Sequence, residues 1–425
     1  MQNSNGVNIK INHIAKTEGH AGFAASIIKG DVKSAKLEVQ EGMRLIEGIL
    51  VGRNFMDVPI VAQRICGICP VVHNLTSIKA LENAMGVKVS EETKKLRTLL
   101  ELGQLIHSHA LHLFFLSLAD FLDMENDLTL IKEYPEETRM VIRIREYGMS
   151  LIKIIGGRVV HPLTNEVGGF KKVPTTEEIQ QLIQGSEKII SEVLELGEFF
   201  RKIKIPEFSR KTEYVSLGQK GRYAIYEGDI ISSQGLHIPA EKFEANFHEL
   251  QKQKEVIKKV EHNGKSYMIG AIARINNNRD KLMPLAHKYL ESLGWTFPDF
   301  NPFHNILSQM TEVIHCIEES GKILKELSHV DLNKALTEKY AVKEGVGVAA
   351  VEAPRGTLYY HIEVDNRGYV KNVNIMTPTA QFLSNLEDDI ALYLPKVMNL
   401  EEHEREKKLR AFIRAYDPCI SCAVH

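Results

Sequence analysis

A chain of 425 residues, 44% hydrophobic and 25% charged, is long enough to bury a large core, and its net charge of −2 leaves no basic footprint for nucleic acid. No apolar run reaches the length of a membrane span and the opening MQNSNGVNIKINHI lacks the pattern of a signal peptide, so the expectation is a cytoplasmic protein. Five sparse cysteines exclude a disulfide scaffold and fit a reducing compartment.

Residues 8–41 alternate apolar and polar about a Gly30-Asp31 turn signal, which predicts a small antiparallel sheet. Thr17-Glu18-Gly19-His20 interrupts the alternation, and these residues alone favour a solvated turn over a site. From Met43 to Val51 the pattern becomes helical, with Glu47 among apolar neighbours. In Gln63-Arg64-Ile65-Cys66-Gly67-Ile68-Cys69-Pro70, the proline suits the first turn of a helix. Leu75, Ile78, Leu81 and Met85 continue it at helical spacing and Gly86 stops it. Cys69 then lies at a helix N-terminus, where the dipole and free N–H groups favour a thiolate. Gly67 lets backbone approach whatever the thiolates hold, and His73, one turn on, is placed to donate to a sulfur.

Ser90, Glu91 and Glu92 start a helix that is apolar nearly all round from about Leu96 to Leu122 and is therefore expected at the centre of the protein. It carries His107, Ser108, His109 and His112, for which buried, satisfied histidines are favoured over a metal pair. A 3.6-residue period predicts further helices over 128–155, 175–204, 241–261, 278–295 and 301–329, with a charged solvated face over 252–259. Short strands are expected over 211–238. The Gly156-Gly157 and Gly168-Gly169 pairs do not lead from a strand into a helix, which excludes a phosphate loop. Cys316, in an apolar helix, reads as a small buried hydrophobe. Glu352-Ala353-Pro354-Arg355-Gly356 precedes a hairpin that turns at residues 365–368. Arg355 needs an anionic partner if it is buried; otherwise it is an arginine on a loop.

The chain closes on Asp417-Pro418-Cys419-Ile420-Ser421-Cys422-Ala423-Val424-His425. Two Cys-x-x-Cys pairs near opposite ends can converge on one metal site, making the fold a device that brings the ends together. On spacing alone, such a set is most often structural zinc. With no repeat or linker in view, the expectation is one domain over 1–425, mainly α with small antiparallel sheets around a buried helical bundle.

The segments RICGICPVVH, DPCISCAVH, TEGH and EAPRG resemble the large subunit of nickel–iron hydrogenases, and the likeness runs from near residue 8 to the last residue. Gly156-Gly157-Arg158 and Ile272-Ala273-Arg274-Ile275-Asn276-Asn277 point to the soluble branch linked to NAD(P) or a deazaflavin. The resemblance implies Cys66 and Cys419 as terminal nickel ligands, with Cys69 and Cys422 bridging to an iron that carries carbon monoxide and two cyanides. It places Arg355 over the metals with Asp417 orienting it, and Pro354 and Thr379 around the diatomic ligands. It makes Glu18 the proton-transfer carboxylate. Glu47, His425 and the carbonyl of Ile375 become ligands of magnesium or another divalent ion. Ser108 stands where many members carry an aspartate.

The implied activity is reversible, heterolytic cleavage of dihydrogen, with a terminal thiolate or Arg355 as base. Once four cysteines hold the metals, Cys316 alone cannot ligate an electron relay. An iron–sulfur small subunit is therefore the implied partner, with flavin-containing subunits beyond it. Two other readings are a dihydrogen sensor with little turnover and a zinc-stapled scaffold without enzymatic activity.

Overall fold

A computed structural model describes residues 6–124, 127–251 and 255–425. Strands β1 (Gly6–Ile11), β2 (Ala21–Ile28) and β3 (Asp31–Val39) form the expected antiparallel meander. Gly30 turns it at φ 87°, a value open to glycine without strain. Short helices Ile46–Leu50 and Val58–Ala62 then lead to α1 (Pro70–Met85), which Pro70 opens and Gly86 closes as the sequence indicates.

The bundle is built from α2 (Glu91–Ala110), α3 (Pro135–Gly156), α4 (Thr176–Arg201) and α7 (Asn305–Leu327). Ser90 caps α2 by accepting from Thr93 N–H, and Thr175 with Glu178 closes a reciprocal capping box on α4. Helix α2 packs on α3 and α7, and α4 packs on α7. Beyond Ala110, α2 widens into a π-helical turn, Leu111–Ser117, which holds His112. Two further helices, α5 (Ala271–Asn278) and α6 (Pro284–Ser292), lie against α7. Strands β4 (Glu213–Gly218) and β5 (Asp229–Ser232) pair antiparallel, with His237–Ile238 on one edge and Tyr267–Met268, parallel, on the other.

A second meander, β8 (Gly345–Ala353), β9 (Gly356–Val364) and β10 (Val370–Met376), follows α7. Helix α1 lies across β8 and β9 at very short range, because a Cβ on Gly347 would fall 2.0 Å from Ala80 O. The chain then runs through α8 (Pro378–Val397) and α9 (Glu402–Ala415) into the last turn, Ile420–Ala423. Two apolar clusters fill the interior. Cys66, Cys69, Cys419 and Cys422 belong to one, and Ile420, Ala423 and Val424 to the other, so the tail lies on the seam between them.

Three expected helices are corrected. Residues 241–261 instead hold one helical turn, Phe243–Asn246, and a hairpin of β6 (Phe247–Leu250) with β7 (Lys259–His262). The i,i+4 spacing of Phe243 and Phe247 imitates a helical stripe, but their rings stack on each other and Phe243 stacks on Tyr359. Within the expected solvated face, 252–254 lie outside the described residues, while Lys258 and Lys259 are part-buried in ion pairs with Glu47, Glu249 and Glu387. The 278–295 helix is α6 alone, begun by Pro284, and the 128–155 helix is split into Asp127–Glu133 and α3 by Pro135. Helix α5 and most of α8 escape the periodicity reading.

The contact under Gly347 makes a stability test. Gly347→Ala forces β8 and α1 apart and is expected to lower stability by about 1–3 kcal/mol, the usual cost of overpacking. Gly42→Ala, where a Cβ meets open space, is expected to be near neutral. Urea midpoints of the two variants check this.

Candidate metal centre

Cys66 follows a single 3₁₀ turn in extended conformation, and Cys69 is the residue before Pro70, at the N-terminus of α1. Backbone N–H groups of Ile68 and Cys69 donate to Cys66 Sγ at 3.3 and 3.4 Å. Gly67 is exposed with open space around it, so these two N–H groups, rather than a close glycine backbone, do the work expected of the motif. Cys419 and Cys422 stand at either end of one short turn, which brings them to the first pair. Sulfur separations are 3.6 Å for Cys66–Cys419, 3.2 Å for Cys69–Cys422 and 2.7 Å for Cys419–Cys422. All four are buried, with their sulfurs within 4.8 Å of one another. Among the described residues this is the only group of three or more His, Cys, Asp or Glu placed to share an ion.

The electrostatics call for a cation. Hydrogen bonds from Cys419, Cys422 and Cys69 push the Cys66 thiol well below its ordinary range, while burial pushes Cys419 and Cys422 well above theirs. Burial therefore opposes ionising all four sulfurs together. Four thiolates require added positive charge, as a divalent metal supplies.

Arg355 sits at the β8–β9 turn and is buried, which decides between its two sequence readings. Its Nε donates to Asp417 O at 2.8 Å and to Oδ1 at 3.1 Å, and its Nη2 donates to Oδ1 at 2.8 Å. Asp417 reaches this position with φ 55°, a left-handed conformation uncommon for a non-glycine residue. Its other oxygen accepts from Gln309 Nε2, and Gln309 Oε1 in turn lies 2.6 Å from His112 Nδ1 in the π-helical turn. Arg355 Nη1 is a buried donor with no partner. The small cavity beside it is lined by Cys69, Cys419, Cys422, Arg355, Pro354 and Thr379. An orphaned guanidinium donor on a sulfur-ringed cavity fits a thiolate-bound metal that carries a hydrogen-bond-accepting ligand.

Thr379 Oγ1 accepts from Cys419 N–H at 2.9 Å. His73 Nε2 lies 3.8 Å from Cys422 Sγ, and its Nδ1 lies 2.8 Å from Tyr360 OH. Burial pushes His73 down to about 3, so the ring is neutral, and with Tyr360 donating to Nδ1 its one N–H faces the sulfur. Glu18, read from the residues as a turn, instead meets the tail. Its carbonyl accepts from Ile420 N–H, and its Oε2 accepts from Cys419 Sγ at 3.1 Å and from Ser421 N–H at 3.0 Å.

The remaining expected set also converges. His425 Nε2 is 2.8 Å from Ile375 O and 3.9 Å from Glu47 Oε1, while its Nδ1 is 2.6 Å from Cys422 O. Ser108 is buried without a partner for its hydroxyl, leaving Asp417 as the carboxylate that pairs with Arg355. Cys316 is fully buried as expected, and His109 is buried with Nε2 bonded to Glu312 but with Nδ1 left without a partner. Sequence reasoning missed Arg44, whose backbone N–H donates to Val424 O and whose side chain donates to Arg64 O and Ile65 O. It also missed Gln309 and Tyr360, which lie in apolar stretches and carry no local signal.

The nickel-dependent hydrogenase family matches residues 44–143 and 218–425. The sulfhydrogenase 1 subunit alpha of Pyrococcus furiosus is 34% identical, with 98% of this chain and 97% of the relative covered. The NAD-reducing hydrogenase HoxS subunit beta of Cupriavidus necator is 28% identical, covering 98% and 94%. The crystal structure of an NAD+-reducing [NiFe]-hydrogenase in the H2-reduced state superposes with a TM-score of 0.89 at 25% identity over the whole of both chains. The fold that brings the two cysteine pairs together is thus shared along the full length, and the chain belongs to the nickel-dependent hydrogenases, oxidoreductases acting on dihydrogen, as a large subunit.

Proposed function

We propose that this chain cleaves dihydrogen heterolytically and reversibly, and passes the electrons to an iron–sulfur partner subunit. The observation that carries the reading is the convergence of four buried thiols from both ends of the chain beside the unpartnered Nη1 of Arg355. Cys66 and Cys419 would hold nickel alone, and Cys69 and Cys422 would hold it jointly with an iron bearing carbon monoxide and cyanide. When bound, this pair supplies the redox-active electrophile that polarises the H–H bond.

The residues around it do the rest. Asp417 fixes the Arg355 guanidinium so that Nη1 faces the cavity, where it can bind an anionic ligand and hold charge in a site closed to water. Pro354 and Thr379 wall the cavity, and His73 Nε2–H orients Cys422 Sγ. A proton resting on Cys419 Sγ has Glu18 Oε2 as its next acceptor, 3.1 Å away. Glu18 is half-buried, so it links the dry centre to the outside. Glu47 carboxylate, Ile375 carbonyl and the His425 ring would hold magnesium or another divalent ion. Both ring nitrogens of His425 face carbonyl oxygens, Nδ1 that of Cys422 and Nε2 that of Ile375.

Cys316 is too buried and too solitary to carry electrons away, so the partner supplies the relay. Met43, Leu45, Ile49, Val51, Met56 and Ile60 are exposed on the stretch that leads into Cys66, an apolar face suited to a permanent subunit contact near the metals. The relatives named for NAD reduction favour NAD(P) as the final acceptor. Clusters carry single electrons and NAD takes a pair, so a flavin belongs between them. Among the described residues no helix is long and apolar enough to cross a membrane.

The following outcomes test this. The protein is expected to contain one nickel and one iron per chain, with infrared bands of carbon monoxide and cyanide. Cys422→Ala loses both metals and all activity, whereas Cys316→Ala keeps them; a single zinc per chain would overturn the reading. Glu18→Gln retains metals and bands, but turnover and isotope exchange with solvent fall by orders of magnitude. Interconversion of the spin isomers of dihydrogen needs no proton exit and persists in that variant. Magnesium added to metal-stripped protein raises the unfolding midpoint by linkage, and Glu47→Gln abolishes that rise.

A further inference from the structure

The arginine loop is gripped from two sides. Asp417 holds the guanidinium, and the opposite grip comes from the start of α5. Arg274 is completely buried and makes five hydrogen bonds. Its Nε and Nη2 form a fork to the two oxygens of Glu312 at 2.6 and 2.7 Å. Nη1 donates to Glu352 Oε2 and to Ala353 O, both at 2.9 Å, and Nη2 donates to Pro354 O at 3.1 Å. Each of the three residues before Arg355 therefore offers an acceptor to one guanidinium. The planar fork suits this task, and an ammonium cannot span it.

The anchor is itself fixed. Glu312 also accepts from Tyr223 OH at 2.6 Å and pairs with His109 Nε2 at 2.8 Å. Glu352 Oε1 accepts from Leu217 N–H at 2.6 Å and from Thr357 Oγ1 at 2.8 Å, so both ends of the turn are tied to one carboxylate. Four residues before Arg274, Gly270 lies at φ 91° beneath the same turn, where a Cβ would stand 3.2 Å from Arg355 O. Gly356 rests on Ile269 at even shorter range.

We propose that the Gly270–Arg274 segment is the positioning clamp of the metal centre, with Arg274 setting where Arg355 projects by fixing the carbonyls of Ala353 and Pro354. Arg274 touches no sulfur; it acts through the loop. The inference rests on Arg355 lying over the metals as proposed above. Its purpose is that a donor required to face a cavity without a protein partner must be held by its own backbone, since nothing at its tip holds it.

The test uses Arg274→Lys, which keeps the charge beside Glu312 and removes the fork. In the metal-free chain, amide exchange read by mass spectrometry is expected to rise at least tenfold across residues 352–358 and to stay unchanged across α1. In the loaded complex, nickel and iron content stay at wild type while the cyanide bands shift or broaden. The kcat falls at least tenfold with KM for dihydrogen little changed. Tyr223→Phe, which touches Glu312 but not the loop, leaves exchange at 352–358 as in wild type. If Arg274→Lys does not fold, Gly270→Ala leaves the Arg274 side chain itself unaltered, strains the backbone at φ 91° and presses a methyl group on Arg355 O. The same local rise in exchange and band shift are then expected. Unchanged exchange at 352–358 and unchanged bands in a folded variant would reduce Arg274 to a core ion pair and overturn the proposal. Absence of the bands from the wild-type complex would sink the nickel–iron reading instead, while the metal-free exchange arm still judges the clamp.

Discussion

The structure depends on the difficulty of keeping negative sulfur away from water. A buried charge without a counter-charge loses so much solvation that it protonates rather than persist. Four thiols lie in contact here, and the guanidinium beside them is already paired with Asp417. The cluster must therefore carry protons or take up cations, and metal entry must expel protons. That requirement explains the surroundings: N–H groups aimed at Cys66, a neutral imidazole at Cys422, and a carboxylate at Cys419.

Holding the thiols together is a problem of chain closure. Cys66 and Cys419 are 353 residues apart, and the entropy of closing so long a loop has to be offset by contacts outside the cluster. Arg44 supplies several at once, with its backbone on Val424 and its side chain on the carbonyls just before Cys66. The Glu18–Cys419 bridge adds another, and His425 at Ile375 a third. Around them the tail is wedged between two apolar clusters, so hydrophobic burial does most of the fastening.

Much of this is legible in the sequence because the signals are local. Pro70 and Gly86 delimit α1 through their own backbone preferences, and Cys69 takes its place at the helix start from its neighbour. Both cysteine pairs carry their spacing within four residues. What is not legible is non-local. Whether Arg355 is buried depends on Asp417, 62 residues on, and whether Glu18 is a turn or a site depends on Cys419, 401 residues on. The resemblance to a family supplies those pairings where spacing cannot. The helix expected over 241–261 fails for a related reason: Phe243 and Phe247 have helical spacing, but Tyr359 from a distant strand decides how they stack.

The distance between the cysteine pairs also fixes an order in time. A ribosome adding about 5–20 residues per second needs about 20–70 s to travel from Cys66 to Cys419. Throughout that interval the chain owns half a ligand set, with α1 able to form but β8 and β9, the surface it lies on, still unmade for most of it. A metal ion arriving then meets two sulfurs and open water. The complete ligand set exists only once Cys419 and Cys422 have been made, so until then the early thiols stay open to oxidation and to the wrong metal.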